Sequence, residues 1–153
     1  MEPGNHHRYM RECVELSERA IESGNPPFGS VLVHESKVIL KAHNTTATDK
    51  NFARHAEFNI LAEALERFGP HIFPKSTLYS TNEPCAMCAG AIYWSGIREV
   101  VYGLGNSVLL EIRGWGLDIS GHEILSRGTD RVIVISGILE EKIREIHEMY
   151  WKT

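Results

Sequence analysis

The sequence predicts an α/β protein, a three-layer α/β/α sandwich in which a β-sheet lies between two layers of helices. Five short segments rich in Val, Ile, Leu and Tyr have the length and composition of β-strands. Segments with apolar residues at helical spacing alternate with these strands along the chain. Because this alternation places helices on both faces of one sheet, the sandwich is the architecture that we expect.

The first half of the chain contains two predicted helices and three predicted strands. Residues 8–24 have an amphipathic helical pattern that ends at Gly24, a residue type typical of helix C-termini. The segment NPPFG breaks this helix, and SVLVHESKVILKAHN then predicts a β-hairpin with its turn near His34–Lys37. A second helix is predicted from Ala56 to Phe68, followed by a short strand in STLYST.

The second half of the chain is less regular. The segment CAMCAGAIYWSG predicts a mostly apolar, buried helix that stops at Gly96. Strands are predicted in REVVYGL and DRVIVISG, and LEEKIREIHEMYW predicts an amphipathic last helix. Its MYW ending is compatible with a core contact in the final turn or with an aromatic lid over a site. The intervening residues 105–128 are interrupted by glycines and yield no definite prediction.

Length and composition predict one domain spanning residues 1–153, with an ordinary balance of 42% hydrophobic and 24% charged residues. The charged first twenty residues argue against a signal peptide, and no apolar stretch is long enough to cross a bilayer. Three cysteines, an odd number, disfavour a disulfide framework, so we expect a cytoplasmic protein with no membrane partner. The net charge of −4 provides no global positive field for a polyanion, without excluding a local basic patch.

Two cysteines three residues apart follow Pro84 in the segment STNEPCAMCAGAIYW. Proline fits the first turn of a helix, which places Cys85 and Cys88 on one helical face near the positive end of the helix dipole. The dipole and the free N–H groups there favour thiolates, the form that binds metal or attacks disulfides. This spacing alone is therefore compatible with a redox pair, with half of a structural zinc site or with ligands of a catalytic metal.

The segment RHAEFNIL adds His55 and Glu57, again just before a predicted helix. The dipole of that helix lowers the pKa of a histidine at its start and keeps the imidazole neutral, as a metal ligand must be. A His-x-Glu pair followed about 30 residues later by Pro-Cys-x-x-Cys is much more specific than Cys-x-x-Cys alone. This pattern is typical of zinc deaminases, in which the glutamate is the general acid and base.

Several motifs between Arg8 and Gly103 stand in the order and spacing of a known family: NPPFGSVLV, AHN, HAEFNIL and STNEPCAMCAGAIYWSGI. On these motifs the sequence resembles the cytidine deaminase-like superfamily, in the branch that holds guanine deaminases, cytosine deaminases and transfer-RNA adenosine deaminases. The resemblance implies a CMP/dCMP-type deaminase domain with a five-stranded mixed sheet, and assembly as a homodimer. It weakens after Gly105, where members of this branch differ in substrate.

His55, Cys85 and Cys88 provide three protein ligands, the number typical of a catalytic zinc that keeps its fourth position open. We therefore expect one Zn²⁺ per chain, with Glu57 as the base that moves protons between water, the substrate ring nitrogen and the leaving amine. A fourth protein ligand would instead make the site structural, and the candidates for it are His43, His71 and Glu57.

The resemblance also implies a set of substrate-binding residues, namely Asn44, Phe28, Ala56, Glu83 and Trp94. Asn44 is expected to hydrogen-bond the substrate ring, although an asparagine at a strand end is also typical of a turn. Phe28 is expected in the pocket wall, and its loop is equally compatible with a simple helix stop. Relatives have an aromatic residue near the ligand at the position of Trp94, whereas its apolar helix favours a place in the core.

Together these patterns predict a zinc-dependent hydrolytic deaminase of a free nucleobase, a nucleoside or a related aminated heterocycle, with guanine or cytosine types favoured. A transfer-RNA adenosine deaminase with the same catalytic core is the first alternative. The net acidic chain and its dispersed basic residues disfavour it, because gripping an RNA stem-loop requires clustered cations. A non-catalytic or redox protein built on the Cys-x-x-Cys pair is the second alternative.

Overall fold

A computed structural model describes residues 3–152 of the chain and contains one five-stranded sheet. The strands are β1 (Gly29–His34), β2 (Lys37–His43), β3 (Ser76–Asn82), β4 (Glu99–Leu104) and β5 (Ile133–Ile135). They lie in the order β2-β1-β3-β4-β5. β1 is antiparallel to both β2 and β3, whereas β3 and β4, and β4 and β5, are parallel. The sheet is therefore mixed, which confirms the expectation from the family resemblance.

Six α-helices and one 3₁₀ turn, at Pro70–Lys75, accompany the sheet within the described residues. The helices are α1 (Pro3–Glu22), α2 (Ala56–Phe68), α3 (Ala86–Ser95), α4 (Asn106–Arg113), α5 (Gly121–Ser126) and α6 (Glu140–Tyr150). None of them is long and apolar enough to cross a membrane.

Both faces of the sheet are covered, because consecutive residues of a strand point to opposite faces. One face packs against α1 and α6, and its buried residues from the central strands are Val31, Tyr79 and Val101. The other face packs against α2 and α3, and its buried residues from the same strands are Leu32, Leu78 and Val100. This arrangement confirms the predicted three-layer sandwich.

The predicted hairpin is formed by β1 and β2, with His34 paired to Lys37 at its end. Glu35 and Ser36 complete the turn with positive φ angles of 50° and 62°. Two consecutive positive φ values give the turn a twist that matches the right-handed twist of the flanking strands. The predicted position of the turn is therefore confirmed.

Three local predictions differ from the structure. The strand predicted in residues 130–137 is reduced to Ile133–Ile135, because β5 is an edge strand whose only described neighbour is β4. Pro84 precedes the helix instead of lying in its first turn, and Cys85 is the N-cap of α3. Residues 105–128, for which no element was predicted, form the short helices α4 and α5, each too short to show a helical period.

The segments that carry the sequence motifs, which join the strands to α2 and α3, all lie at one edge of the sheet. β2, β3 and β4 end at this edge, and the antiparallel β1 begins there at Gly29. The chain leads from the end of β2 to the start of α2, and from the end of β3 to the start of α3. Both helices consequently direct their N-termini, with their positive dipole ends, towards the same place.

Candidate active site

Three metal-ligating side chains meet where α2 and α3 begin. His55 is the N-cap of α2, Cys85 is the N-cap of α3, and Cys88 lies one turn into α3. The Nδ1 atom of His55 is 3.4 Å from the Cys85 sulfur and 3.6 Å from the Cys88 sulfur. All three ligand atoms lie within 4.8 Å of one another.

This geometry fits a tetrahedral zinc ion. Zinc bonds of about 2.3 Å to sulfur and about 2.0–2.1 Å to nitrogen, at a tetrahedral angle, separate the two ligand atoms by roughly 3.6 Å. Both measured nitrogen–sulfur distances, 3.4 and 3.6 Å, are close to that value. Two thiolates and an imidazole are also a ligand set that suits zinc. The two nitrogen–sulfur distances and the chemistry of the three side chains thus fit a zinc ion.

Within residues 3–152, none of the proposed fourth ligands joins this cluster. His43 uses its Nδ1 atom for a 2.8 Å hydrogen bond with the carbonyl oxygen of Asn44. His71 is exposed on the 3₁₀ turn that follows α2. Glu57 is close to the cluster but outside it, so the three-ligand arrangement leaves a coordination position for a small molecule.

The two thiols differ in ionisation when no metal is bound. The hydrogen bond from Cys88 is the largest of the effects that lower the pKa of Cys85, to about 4, and His55 adds to the shift. The same hydrogen bond, together with burial, raises the pKa of Cys88 well above its usual value. One proton is therefore shared by the pair, and metal binding has to displace it, as is usual for thiolate ligands.

Glu57 lies in the first turn of α2 and is only 5% exposed. Burial is the main cause that raises the pKa of its carboxyl group to about 7, and the charge of Cys85 adds to the shift. A carboxyl group with a pKa near the working pH can both accept and return a proton. Glu57 therefore has the placement and the chemistry of a general acid and base.

A cavity of about 410 Å³ opens in front of this cluster, within the range of small-molecule sites. His55, Glu57 and Cys85 contribute to its floor. Three of the five residues expected to bind substrate also line it, namely Phe28, Asn44 and Glu83.

Two of the expected substrate-binding residues are not brought to the cavity. Ala56 is fully buried at the start of α2 and is not part of the lining. Trp94 is 84% exposed and lies outside the cavity. The reason is its position on α3, nine residues and roughly 13 Å of helix beyond Cys85. Its high exposure also contradicts the alternative that Trp94 lies in the core.

Asn44 is held in one orientation by a short turn. Its side-chain oxygen accepts hydrogen bonds of 2.8 Å from both the backbone N–H and the hydroxyl group of Thr46. No described residue accepts a hydrogen bond from its Nδ2 group. The turn therefore leaves Asn44 as a fixed donor at the cavity surface. A turn residue and a hydrogen-bond donor for the substrate are thus compatible roles for Asn44.

Glu83 uses its carboxylate within the protein. One oxygen accepts a 2.8 Å hydrogen bond from the N–H of Asn106, at the start of α4. The other accepts from the Ser120 hydroxyl and, at 2.9 Å, from the N–H of His122. Gly121 lies so close to the Pro84 carbonyl that it leaves no room for a side chain. These contacts support a positioning role, in which Glu83 fixes α4 and α5 beside the metal cluster.

The outer side of the cavity is formed by Arg113, Trp115 and Trp151, of which the sequence had singled out only Trp151, in the MYW ending. The guanidinium carbon of Arg113 lies 4.1 Å from the centroid of the Trp115 ring. The rings of Trp115 and Trp151 meet edge to face, with centroids 5.5 Å apart. Trp151 also donates a 2.9 Å hydrogen bond to the buried His147. The MYW ending thus provides both a core contact and a wall of the cavity.

The family model of the cytidine and deoxycytidylate deaminase zinc-binding region matches residues 3–104. The chain belongs to the cytidine and deoxycytidylate deaminase family. It is accordingly a hydrolytic deaminase with the zinc-binding region of that family, which also decides against the redox and non-catalytic interpretations of the Cys-x-x-Cys pair.

Individual relatives carry different activities. A probable cytosine deaminase of Schizosaccharomyces pombe is 32% identical over 94% of this chain and 90% of its own length. A tRNA-specific adenosine deaminase of Bacillus subtilis is 35% identical over 88% of this chain and 81% of its own length. The solved structure of a guanine deaminase from Nitrosomonas europaea covers 94% of this chain and 83% of its own, with a TM-score of 0.78 and 22% identity, and this likeness shows the fold alone.

These comparisons coincide with a division inside the cavity. The matched residues 3–104 include every ligand of the metal cluster and Glu57. The outer wall of Arg113, Trp115 and Trp151 lies beyond them. Family membership therefore accounts for the reaction, whereas this part of the cavity lining lies outside the matched region.

Proposed function

We propose that this protein is a zinc-dependent hydrolytic deaminase of a small aminated heterocycle, a free base or nucleoside of the guanine or cytosine type. The observation that carries this proposal is the lining of the cavity. Its walls are mainly apolar and aromatic, and Arg113 is the only lysine or arginine among the described residues that line it. Such a cavity suits one flat ring, whereas binding an RNA backbone requires several cations around the site.

In this proposal His55, Cys85 and Cys88 hold the zinc ion. The zinc, when bound, supplies a Lewis acid that makes water nucleophilic near neutral pH. Glu57 accepts the proton of the attacking water and delivers protons to the ring nitrogen and to the departing amine. A C–O bond forms, the C–N bond breaks, and the products are ammonia and the corresponding oxo-heterocycle.

The remaining cavity residues orient the ring. Asn44 donates its free Nδ2 hydrogen atoms to an acceptor of the substrate. Phe28, which packs edge to face on His147 with ring centroids 5.1 Å apart, offers an apolar wall. These contacts hold the carbon that bears the amine close to Glu57, and this positioning lowers the entropic cost of the reaction.

A transfer-RNA adenosine deaminase is the second candidate function. One observation favours it: two aromatic residues of the cavity, Phe52 and Trp115, are 84% and 57% exposed. Exposed aromatic rings are typical of surfaces on which the bases of single-stranded RNA stack. The 35% identity to a tRNA-specific enzyme is compatible with this candidate as well.

One assay separates the two candidates. Zinc-replete protein is incubated with guanine, cytosine, their nucleosides and aminated triazines, and released ammonia is measured. In parallel, an anticodon stem-loop with adenosine at the wobble position is analysed for inosine. We expect ammonia from at least one small heterocycle and no inosine. Inosine in the stem-loop, with no turnover of any base or nucleoside, would replace the first function with the second. Glu57→Gln is the matched control for background hydrolysis.

We also propose that the protein is a homodimer. Trp94 supports this proposal, because a large aromatic side chain that is almost fully exposed on α3 suits a buried contact between subunits. Sedimentation equilibrium should give a mass of two chains for the wild type and of one chain for Trp94→Glu. An unchanged mass for this variant, with an intact circular dichroism spectrum, would place the contact elsewhere or remove it.

A further inference from the structure

Arg113 differs from the paired arginines of this protein. Arg67, Arg98 and Arg127 each form an ion pair with a carboxylate at 2.9–3.1 Å. Arg113 is partly buried at the end of α4, lines the cavity and has no carboxylate partner among residues 3–152. A guanidinium that has lost part of its hydration without gaining an anion is an unusual and costly arrangement.

The guanidinium group is held in a defined orientation. One of its faces is covered by the Trp115 ring. Its Nε–H donates a 3.1 Å hydrogen bond to the backbone carbonyl oxygen of Trp115. The centroid of the Trp151 ring lies 5.4 Å from the guanidinium carbon. A side chain on Gly116 would crowd the Nη2 atom, so the glycine makes room for the group. The edge that carries Nη1 and Nη2 is therefore the part that is left to bind a ligand.

We propose that Arg113 binds a carboxylate group of the substrate and so selects acidic aminated heterocycles over neutral ones. This proposal rests on the deaminase function proposed above. The terminal edge of a guanidinium presents parallel N–H groups that match the two oxygens of a carboxylate. Arg113 lines the same cavity as His55, Glu57 and Cys85, so a ligand bound to it also faces the metal cluster.

The surroundings favour a carboxylate over a phosphate. Arg113 is the single lysine or arginine in the described lining, and the same lining contains two acidic residues, Glu57 and Glu83. A phosphate monoester carries close to two negative charges at neutral pH and would meet this excess of acidic groups. A carboxylate carries one charge, which a single arginine neutralises.

The test compares neutral compounds with their carboxylate derivatives. The pairs are cytosine with cytosine-5-carboxylate and pterin with pterin-6-carboxylate, and cytidine with its 5′-monophosphate forms the phosphate arm. Deamination is followed by ammonia release in the wild type, in Arg113→Gln and in Arg113→Lys. Arg127→Gln, which removes an exposed arginine just after α5, is the matched control. Zinc content and circular dichroism are measured for every protein.

We expect the wild type to prefer a carboxylate compound over its neutral partner. Arg113→Gln should lower kcat/KM for that compound by about 10- to 100-fold, mainly through KM, because a charge-assisted hydrogen bond is lost. Arg113→Lys should recover part of the loss, since it keeps the charge without the planar edge. Arg127→Gln should behave as the wild type. Equal use of acidic and neutral partners by the wild type, or a preference for the phosphate, would overturn the proposal.

A binding experiment separates this inference from the proposed function. Zinc-replete Glu57→Gln protein is titrated with cytosine-5-carboxylate and pterin-6-carboxylate in a calorimeter, with and without the additional Arg113→Gln change. Binding that depends on Arg113, when the wild type deaminates none of the compounds, would support the carboxylate site while the deaminase function fails. Deamination of neutral bases by the wild type, with no carboxylate binding, would support the deaminase function and overturn the carboxylate site.

Discussion

The cavity has two sides that are built in different ways. The metal side, formed by His55, Glu57, Cys85 and Cys88, is held by backbone: each residue lies at or within one turn of a helix start, beside the central strands. The outer wall, formed by Arg113, Trp115 and Trp151, is held by contacts among its own side chains. Glu57 is 5% exposed, whereas Trp115 is 57% exposed.

This difference shows how one fold can keep a reaction and change its substrate. The positions of the metal side follow from the sheet and the two helix N-termini, so they are fixed by the core of the protein. The outer wall is attached through hydrogen bonds that Glu83 accepts from α4 and α5 and that Trp151 donates to His147, and through the packing of Leu109, Leu125 and Trp151 on the apolar core. Substitutions in the wall can therefore alter recognition while the metal side stays intact.

The largest effect is expected on the metal side, from Glu57→Gln. The amide occupies the same volume but cannot carry protons, so kcat should fall by at least about 10²–10⁴-fold. Zinc content and the free energy of unfolding at pH 7 should stay close to those of the wild type, as determined by elemental analysis and urea titration. Loss of zinc in this variant would instead identify Glu57 as a ligand.

The second effect tests the connection between the two sides. Glu83→Gln replaces one carboxylate oxygen with an NH₂ group that faces donors from α4 or α5, and should destabilise the protein by about 3 kcal/mol. Zinc binding should persist, and KM should rise more than kcat falls. The control Glu63→Gln removes an exposed ion pair on α2 and should change the free energy of unfolding by less than about 1 kcal/mol. Equal stabilities of the two variants would contradict the positioning role.

A pH effect is expected at the base of the outer wall. Burial, with a contribution from the charge of Arg113, lowers the pKa of His147 to about 4, below its usual 6.5. The folded protein thus disfavours the charged form, so this residue contributes stability that is present above pH 6.5 and is lost as the pH falls towards 4. Between pH 7 and pH 5 the loss should be about 2 kcal/mol.

Urea titrations of the wild type and of His147→Gln at these two pH values test this expectation. The variant should lose less stability on acidification than the wild type, because glutamine does not titrate. His71→Gln, at an exposed histidine, should lose as much free energy of unfolding between pH 7 and pH 5 as the wild type does. If His147→Gln and the wild type lose the same free energy of unfolding between pH 7 and pH 5, the buried imidazole does not cause the loss.

The smallest effect is expected from Trp151→Phe. The indole N–H of Trp151 donates to Nδ1 of His147, which leaves the proton of that imidazole on Nε2, 3.2 Å from the Asn82 side-chain oxygen. Phenylalanine keeps a ring in the wall but removes this donor, at a cost of about 1 kcal/mol in the free energy of unfolding. KM should change while kcat stays the same. An altered zinc content in this variant would contradict the separation of the metal side from the outer wall.

The same division explains what the sequence could predict. The metal side was predictable residue by residue, because His-x-Glu and Pro-Cys-x-x-Cys each place ligands at a helix start. The sandwich and the hairpin turn followed from strand and helix periods. Trp94 lies outside the cavity of its own chain because a helix that begins at the site carries its later residues away from it. The outer wall was predictable only in part: the MYW ending was compatible with an aromatic lid, whereas Arg113 meets Trp151 from far away in the sequence and α4 is too short for a period.

The central claim is that zinc on the metal side is required for hydrolysis of a small heterocycle. Its most direct test measures ammonia release from the heterocycle panel by protein as purified, by protein stripped with a chelator and by stripped protein after one equivalent of zinc per chain. We expect ammonia from the first, none above background from the second, and recovery in the third. Full activity of the stripped protein, or no ammonia from any heterocycle at full zinc occupancy, would contradict the account.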